Sequence, residues 1–204
     1  MNYIKQVFEP TEMEIAKKIC LSTDIRYPNK FEEETDFLIN FIKDKEIINS
    51  NSFVADLGCG VGRISREIIE NFNCNVIGFD ISTHMLLLAN QYVDNEKFKT
   101  QKYKKGFKWN KNKFDIFISS FVLQHSEHPE EDIDFIYNNI EDNGFYILVN
   151  EPERLLPIDV KDGYAVWYDD KKDITKLVSE RFKNIGFFDY YKRDLKCLSL
   201  WKKN

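Results

Sequence analysis

The stretch Phe53-Val54-Ala55-Asp56-Leu57-Gly58-Cys59-Gly60-Val61-Gly62-Arg63 leaves this chain few ways to fold. Phe53 to Leu57 reads as a buried strand. Glycines at 58, 60 and 62 then let the backbone turn sharply and expose its N–H groups. Ile64, Ile68, Ile69 and Phe72 follow at helical spacing. Strand, glycine turn and helix, in that order, build the nucleotide-type crevice of an open α/β sheet.

The rest of the chain extends the pattern. Asn75 to Asp80 reads as a second strand, and Ser82 as the N-cap of a helix over Thr83 to Val93. Phe98 to Tyr103 is a weaker third strand. Phe114 to Ser119 is a fourth, Pro129 to Ile140 a helix, Asp142-Asn143-Gly144 a turn, and Phe145 to Asn150 a nearly all-apolar fifth strand. Residues 152–172 show no clear period. Asp173 to Phe182 reads as a helix, and Phe187 to Tyr191 and Lys196 to Trp201 as two closing strands. Too few residues separate those strands for a crossover helix, so they must pair antiparallel. Ahead of the glycine strand, helical patterns from Thr11 and over Lys30 to Ile48 form a cap. The expected organisation is a single domain over 1–204, with a helical cap over 1–50 and the α/β core over 51–204.

Composition narrows the partners. At 204 residues and 43% hydrophobic, the chain can bury one sizeable core. A formal charge of −5 gives no overall footprint for nucleic acid. Neither a signal-peptide apolar centre nor a membrane-length apolar run is seen, so the expectation is a soluble, cytoplasmic protein without membrane or nucleic-acid partners. Cys20, Cys59, Cys74 and Cys197 form no C-x-x-C pair, which argues against a metal site and for reduced thiols. The lysines between 97 and 113 read as a solvated edge, or as a rim for an anionic substrate.

The spacing around the glycines selects a ligand. A dinucleotide fingerprint needs G-x-G-x-x-G, but Arg63 stands at its third glycine. A phosphate loop would need Gly-Lys-Ser/Thr, which is absent. Asp56, two residues before the first glycine, repels pyrophosphate and suits a cationic tail. Asp80 stands about 20 residues on from the turn, where an acid accepts bonds from ribose hydroxyls. A phosphate-free nucleoside with a cationic tail, S-adenosylmethionine, fits these features together. Turn geometry alone for the glycines, and helix capping alone for Asp80, are the plainer alternatives.

At these residues the chain resembles the class I S-adenosylmethionine-dependent methyltransferases, small-molecule type. The resemblance rests on Val54 to Arg63, on Gly78-Phe79-Asp80-Ile81-Ser82, and on Phe114 to Phe117 leading to Val122-Leu123-Gln124-His125. It implies an α/β fold with a Rossmann-like seven-stranded mixed sheet in the order 3-2-1-4-5-7-6, strand 7 antiparallel. It also implies cofactor contacts at Asp56, Gly58, Cys59, Gly60, Asp80, Ile81, Met85, Phe107 and Ser120. One departure stands out. Many relatives carry an acid after the third strand that reads the adenine, and here Lys105-Gly106-Phe107-Lys108 has none, leaving Phe107 to stack.

The implied reaction is methylation of a small-molecule acceptor, with oxygen the expected acceptor atom. The transferase must mainly hold acceptor, methyl carbon and leaving sulfur in line. A hydroxyl acceptor also calls for a base, for which His125 and then Glu151 are the candidates. Substrate contacts are expected from Tyr27, Gln124, Asn150, Trp167 and Tyr168. Tyr3 and Tyr164 are further aromatic candidates for closing the site. Two other readings stay open: a nicotinamide (NAD-type) oxidoreductase on the same sheet, and a non-catalytic S-adenosylmethionine-binding partner module.

Overall fold

In the computed structural model, the described residues are 3–21, 29–151, 154–161, 164–192 and 197–204. Nine strands and six α-helices are described: α1 (Met13–Cys20), α2 (Lys30–Lys45), β1 (Phe53–Leu57), α3 (Arg63–Phe72), β2 (Asn75–Asp80), α4 (Thr83–Val93), β3 (Phe98–Lys102), β4 (Phe114–Ser120), α5 (Pro129–Asn139), β5 (Ile140–Val149), β6 (Leu155–Lys161), β7 (Tyr164–Asp169), α6 (Ile174–Ser179), β8 (Lys183–Phe188) and β9 (Leu198–Lys202). Seven strands form one sheet in the order β3-β2-β1-β4-β5-β9-β8, and β6 pairs with β7 apart from it. Counting only the strands of the large sheet, the order is 3-2-1-4-5-7-6. Its last strand, β9, runs antiparallel to both β5 and β8.

The sheet is covered on both faces, which is why its central strands are mostly apolar. Leu38 and Ile42 of α2, Ile64 and Ile68 of α3, and Ala89 and Val93 of α4 pack on one face. Ile133 and Ile136 of α5, with Ile174 and Val178 of α6, pack on the other. α1 lies over the glycine turn, where Ala16 and Leu21 meet Phe31, Val61 and Met85. The amphipathic α3 ends at Asn73, which adopts φ +57° as its left-handed cap.

Four expectations need correction. The turn at Asp142 to Gly144 is a bulge inside β5: Ile140 still pairs with Phe114, and the register resumes with Phe145 opposite Ile116. α6 is shorter than expected and β8 starts earlier, at Lys183. β8 is an edge strand whose exposed Ile185 and Phe187 blur its alternation, so the apolar run Phe187 to Tyr191 misleads. The patternless segment after residue 152 contains the β6–β7 hairpin. Its register breaks between Pro157 and Asp159, and exposed and half-buried residues mix along both strands. The backbone N–H of Ile4 donates to the Pro157 carbonyl at 2.9 Å, joining the N-terminal segment to this hairpin.

Candidate functional site

The carboxyl ends of β1, β2 and β4 open on a cavity of about 960 Å³. This is near the upper end of the range typical for small-molecule sites, roughly 300–1,000 Å³. Its floor is the glycine turn. Gly58 and Gly60 have φ of +71° and +54°, where side chains are strained. A Cβ on Gly58 would also collide with Val122, and one on Gly60 with the Cys20 sulfur. The turn is stitched to the end of β2, since the N–H groups of Gly58 and Cys59 both donate to the Phe79 carbonyl, at 2.7 and 2.9 Å.

Two carboxylates stand beside that floor. Asp80 accepts the Gly60 N–H at 3.0 Å on one oxygen and the Ser82 N–H at 2.8 Å on the other. Asp56 accepts the Ser65 hydroxyl at 2.7 Å. Both line the cavity. Burial pushes each carboxyl up to about 6, against the pull of these hydrogen bonds. Arg63, the residue that breaks the dinucleotide fingerprint, is buried in the same wall. Its guanidinium donates to the Thr35 hydroxyl at 2.8 Å and to the Ser120 hydroxyl at 3.2 Å. Cys59, Ile81, Met85 and Ser120 also line the cavity.

The other half of the cavity is assembled around His125, which ends a short 3-10 turn, Leu123–His125, after β4. Its Nδ1 lies 2.8 Å from the Leu155 carbonyl, which can only accept, so Nδ1 carries the proton. Nε2 is left as an acceptor, 3.3 Å from the Gln124 amide nitrogen. Burial lowers the pKa of the ring below the ordinary histidine value, which keeps it neutral at pH 7. Phe8 and Trp167 flank the imidazole with ring centroids 5.7 and 5.0 Å away. The Tyr3 hydroxyl donates to the His125 carbonyl at 3.0 Å.

Glu151 and Gln124 line the cavity, and Asn150 does not. Asn150 is instead a brace. Its side-chain oxygen accepts the Gln124 N–H at 2.9 Å, and its amide donates to the Glu151 carbonyl at 2.7 Å. Gln124 returns the favour by accepting the Glu151 N–H at 2.6 Å. The ends of β4 and β5 are thus tied together behind His125. Trp167 faces the cavity while Tyr168 does not, because neighbouring residues of a strand point to opposite sides. Tyr164 is 78% exposed and also stands outside it. Phe107, expected to stack on the cofactor, packs against Phe79, Tyr103 and Phe135 and does not reach the cavity. Tyr27 lies outside the described residues.

Several cavity residues escape sequence reasoning. Phe8, Leu155 and Asp132 are in the wall, and none carries a local motif. Phe121 is a bulky residue at φ +59°, a strained conformation of the kind that clusters at functional sites. Of the lysine-rich segment, Lys102, Lys104 and Lys105 reach the rim, and Lys99, Lys108, Lys111 and Lys113 are exposed. Among the described residues, no group of three or more His, Cys, Asp or Glu is placed to hold a metal ion. Among them also, no helix is long and apolar enough to cross a membrane.

A family model described as a methyltransferase domain matches residues 48–187. The chain is 26% identical over 174 residues to the sterol 24-C-methyltransferase of Candida albicans, an alignment covering 76% of this chain and 45% of that protein. It is 29% identical over 93 residues to phosphoethanolamine N-methyltransferase 2 of Caenorhabditis elegans, covering 44% of this chain and 21% of that one. The chain therefore spans less than half the length of these curated relatives. The solved structure of magnesium protoporphyrin IX methyltransferase from Synechocystis PCC 6803 with bound SAH shares the fold, with a TM-score of 0.61 at 16% identity over 88% of this chain and 87% of that one.

Proposed function

The chain belongs to the methyltransferase-domain family, and from that premise we propose that it moves the sulfonium methyl group of S-adenosylmethionine onto a hydroxyl oxygen of a small-molecule acceptor. The observation that carries this reading is a single cavity that joins Asp56 and Asp80 to the unprotonated Nε2 of His125.

The residues present fit the methyl donor. Asp80 offers buried carboxylate oxygens for ribose hydroxyls. Asp56 supplies negative charge for the amino-acid ammonium, and the Arg63 guanidinium supplies positive potential for the carboxylate. The Asp56 carboxyl beside the turn disfavours a pyrophosphate, and buried Arg63 fills the position where a dinucleotide turn keeps its third glycine. When bound, S-adenosylmethionine brings a carbon already activated by the sulfonium charge.

What remains for the protein is to place and deprotonate the acceptor. Phe8, Trp167 and Leu155 offer an apolar wall, which suits an acceptor with an aromatic or aliphatic body. His125 is a neutral base of fixed tautomer. As the acceptor oxygen bonds to the methyl carbon and the carbon–sulfur bond breaks toward sulfur, the hydroxyl proton passes to Nε2. The Leu155 carbonyl holds the ring through Nδ1–H and favours the imidazolium that forms. Glu151 opens on the same cavity and is the second candidate for the base.

The test is incubation with methyl-labelled S-adenosylmethionine and a metabolite extract, followed by mass spectrometry of the labelled product. An O-methylated small molecule, lost in His125→Asn, is the expected result. Label on nitrogen or carbon would overturn the acceptor assignment, and undiminished turnover in the variant would remove His125 as the base. Tight binding of NAD with none of S-adenosylmethionine would overturn the donor assignment as well.

A further inference from the structure

The lysine-rich segment after α4 has no part in the scheme so far. From Lys97 to Lys113 the chain carries eight lysines and no aspartate or glutamate, in a protein of net charge −5. All but Lys97 are exposed, and among the described residues only Lys105 of these is ion-paired, with Glu131 at 3.0 Å. The negative total therefore conceals one unbalanced positive edge. That edge reaches the mouth of the cavity through Lys102, Lys104 and Lys105. It carries an apolar side chain as well. Lys102 Nζ donates to the Thr83 hydroxyl at 2.5 Å and the Asn90 amide to the Thr100 hydroxyl at 3.0 Å, which lays one face of α4 along β3. Leu87 stands on that face, at helical spacing from both Thr83 and Asn90, and is exposed.

The β6–β7 hairpin follows the carboxyl end of β5 and reaches the same cavity through Leu155 and Trp167. Half of the large apolar side chains exposed among the described residues belong to it: Val160, Tyr164, Trp167 and Tyr168. Single exposed apolar residues are ordinary, whereas a concentration of them marks a surface that meets something. Tyr164 and Tyr168 stand on the strand face away from the cavity, and Tyr164 pairs in register with the exposed Lys161. Trp167 lines the cavity and is still 41% exposed, so its ring spans from the cavity wall to the outside.

We propose that the rim of this cavity docks on an anionic bilayer surface, with Tyr164, Tyr168 and Leu87 seated at headgroup depth and the lysines after β3 against the lipid phosphates and carboxylates. Tyrosine and tryptophan favour that depth because the ring is apolar while its polar atom stays wet. Each lysine near such a surface adds attraction, felt within about 8 Å at physiological salt. A lysine edge alone suits any polyanion. An aliphatic side chain such as Leu87 gains nothing from a phosphate backbone, but it gains from an apolar layer beneath the charge. Net charge and spanning length, on which the expectation of no membrane partner rests, do not measure a local surface. So held, the mouth opens on the phase in which an acceptor with an apolar body dissolves. Docking concerns delivery alone, so donor affinity and the KM of a dissolved acceptor do not depend on it.

The experiment is sedimentation of the full chain with vesicles of phosphatidylcholine alone and of phosphatidylcholine with about 30% phosphatidylserine. No methyl donor or acceptor is added, so the outcome is independent of the reading above. Partition onto the anionic vesicles should exceed that onto the neutral ones by at least about tenfold at about 0.1 M salt, and should fall several-fold at about 0.5 M. Lys104→Glu combined with Lys108→Glu should weaken it by about tenfold or more. Tyr164→Ser, at a position too exposed to threaten the fold, should weaken it by about threefold or more at both salt concentrations. Equal partition onto both vesicles, no partition onto either, or unchanged partition in either variant overturns the proposal. An oligothymidine that binds as tightly as the anionic vesicles also overturns it, in favour of a general polyanion site. So does a dimer in light scattering that Tyr164→Ser dissociates, since a second copy then covers the hairpin.

Discussion

The two halves of the cavity are built in different ways. The half proposed for the donor is local and made largely of backbone: Gly58, Cys59 and Gly60 hang on Phe79 and Asp80, all within two adjacent strand ends. The acceptor half is assembled from distant parts. Tyr3 and Phe8 come from the N-terminal segment, His125 from the loop after β4, and Leu155 and Trp167 from the separate hairpin. The lesson is one of tolerance. A backbone cradle constrains a few residues tightly, whereas an assembled wall can change its lining without disturbing the cradle, so donor and acceptor recognition can vary separately.

That contrast is breakable. The largest effect expected is on His125→Asn, which should lower kcat by roughly 10²–10⁴-fold, as loss of a general base does. Donor affinity by calorimetry should stay within about twofold. A parallel loss of donor binding would mean that the halves are not separable. Asp80→Ala tests the other half: loss of hydrogen bonds to a charged group should cost about 1.5–3 kcal/mol of donor binding. Retained affinity in a folded variant would remove Asp80 from the ribose site.

A pH titration comes next in size. Ribose hydroxyls and a cationic tail both favour ionised carboxylates, so donor affinity should climb as pH rises through about 6, the value to which burial lifts Asp56 and Asp80. Folding stability should move the opposite way. These groups ordinarily titrate near 3.8, so the folded state holds their protons more tightly. Their contribution to stability is complete below about 4 and lost as pH rises through about 6. Calorimetry at pH 5 and 7.5, with chemical denaturation at the same two values, would show whether the two trends oppose. The smallest effect belongs to Trp167→Ala, which should raise the acceptor KM by about 2–10-fold through loss of one aromatic wall. Donor binding should be unchanged, and Tyr168→Ala, outside the cavity, should leave both constants alone.

The same division explains what could be read from the sequence. β1, β2 and α4 fall where periodicity and the Ser82 cap put them, because buried parallel strands and a capped helix carry their signals within a few residues. The glycine turn, Asp56 and Asp80 are legible for that reason too. Phe8 and Leu155 are invisible there, since each acquires a role only through His125, far away in the chain. The β6–β7 hairpin left no period because it covers no continuous core face, and its register slips at Pro157. Phe107 misled because the resemblance puts the loop after β3 beside the cofactor, yet Phe79, Tyr103 and Phe135 draw the ring inward.

The bond from Tyr3 to His125, spanning 122 residues, bears on how the molecule comes into being. Contacts of such separation close large loops and form late, after local pairings have paid their smaller entropic cost. During synthesis, the segment around Tyr3 has to wait for the loop after β4 and then for Pro157 before it has these partners to dock on. The glycine cradle needs only two neighbouring strands. The cradle proposed for the methyl donor should therefore form before the wall proposed for the acceptor is closed.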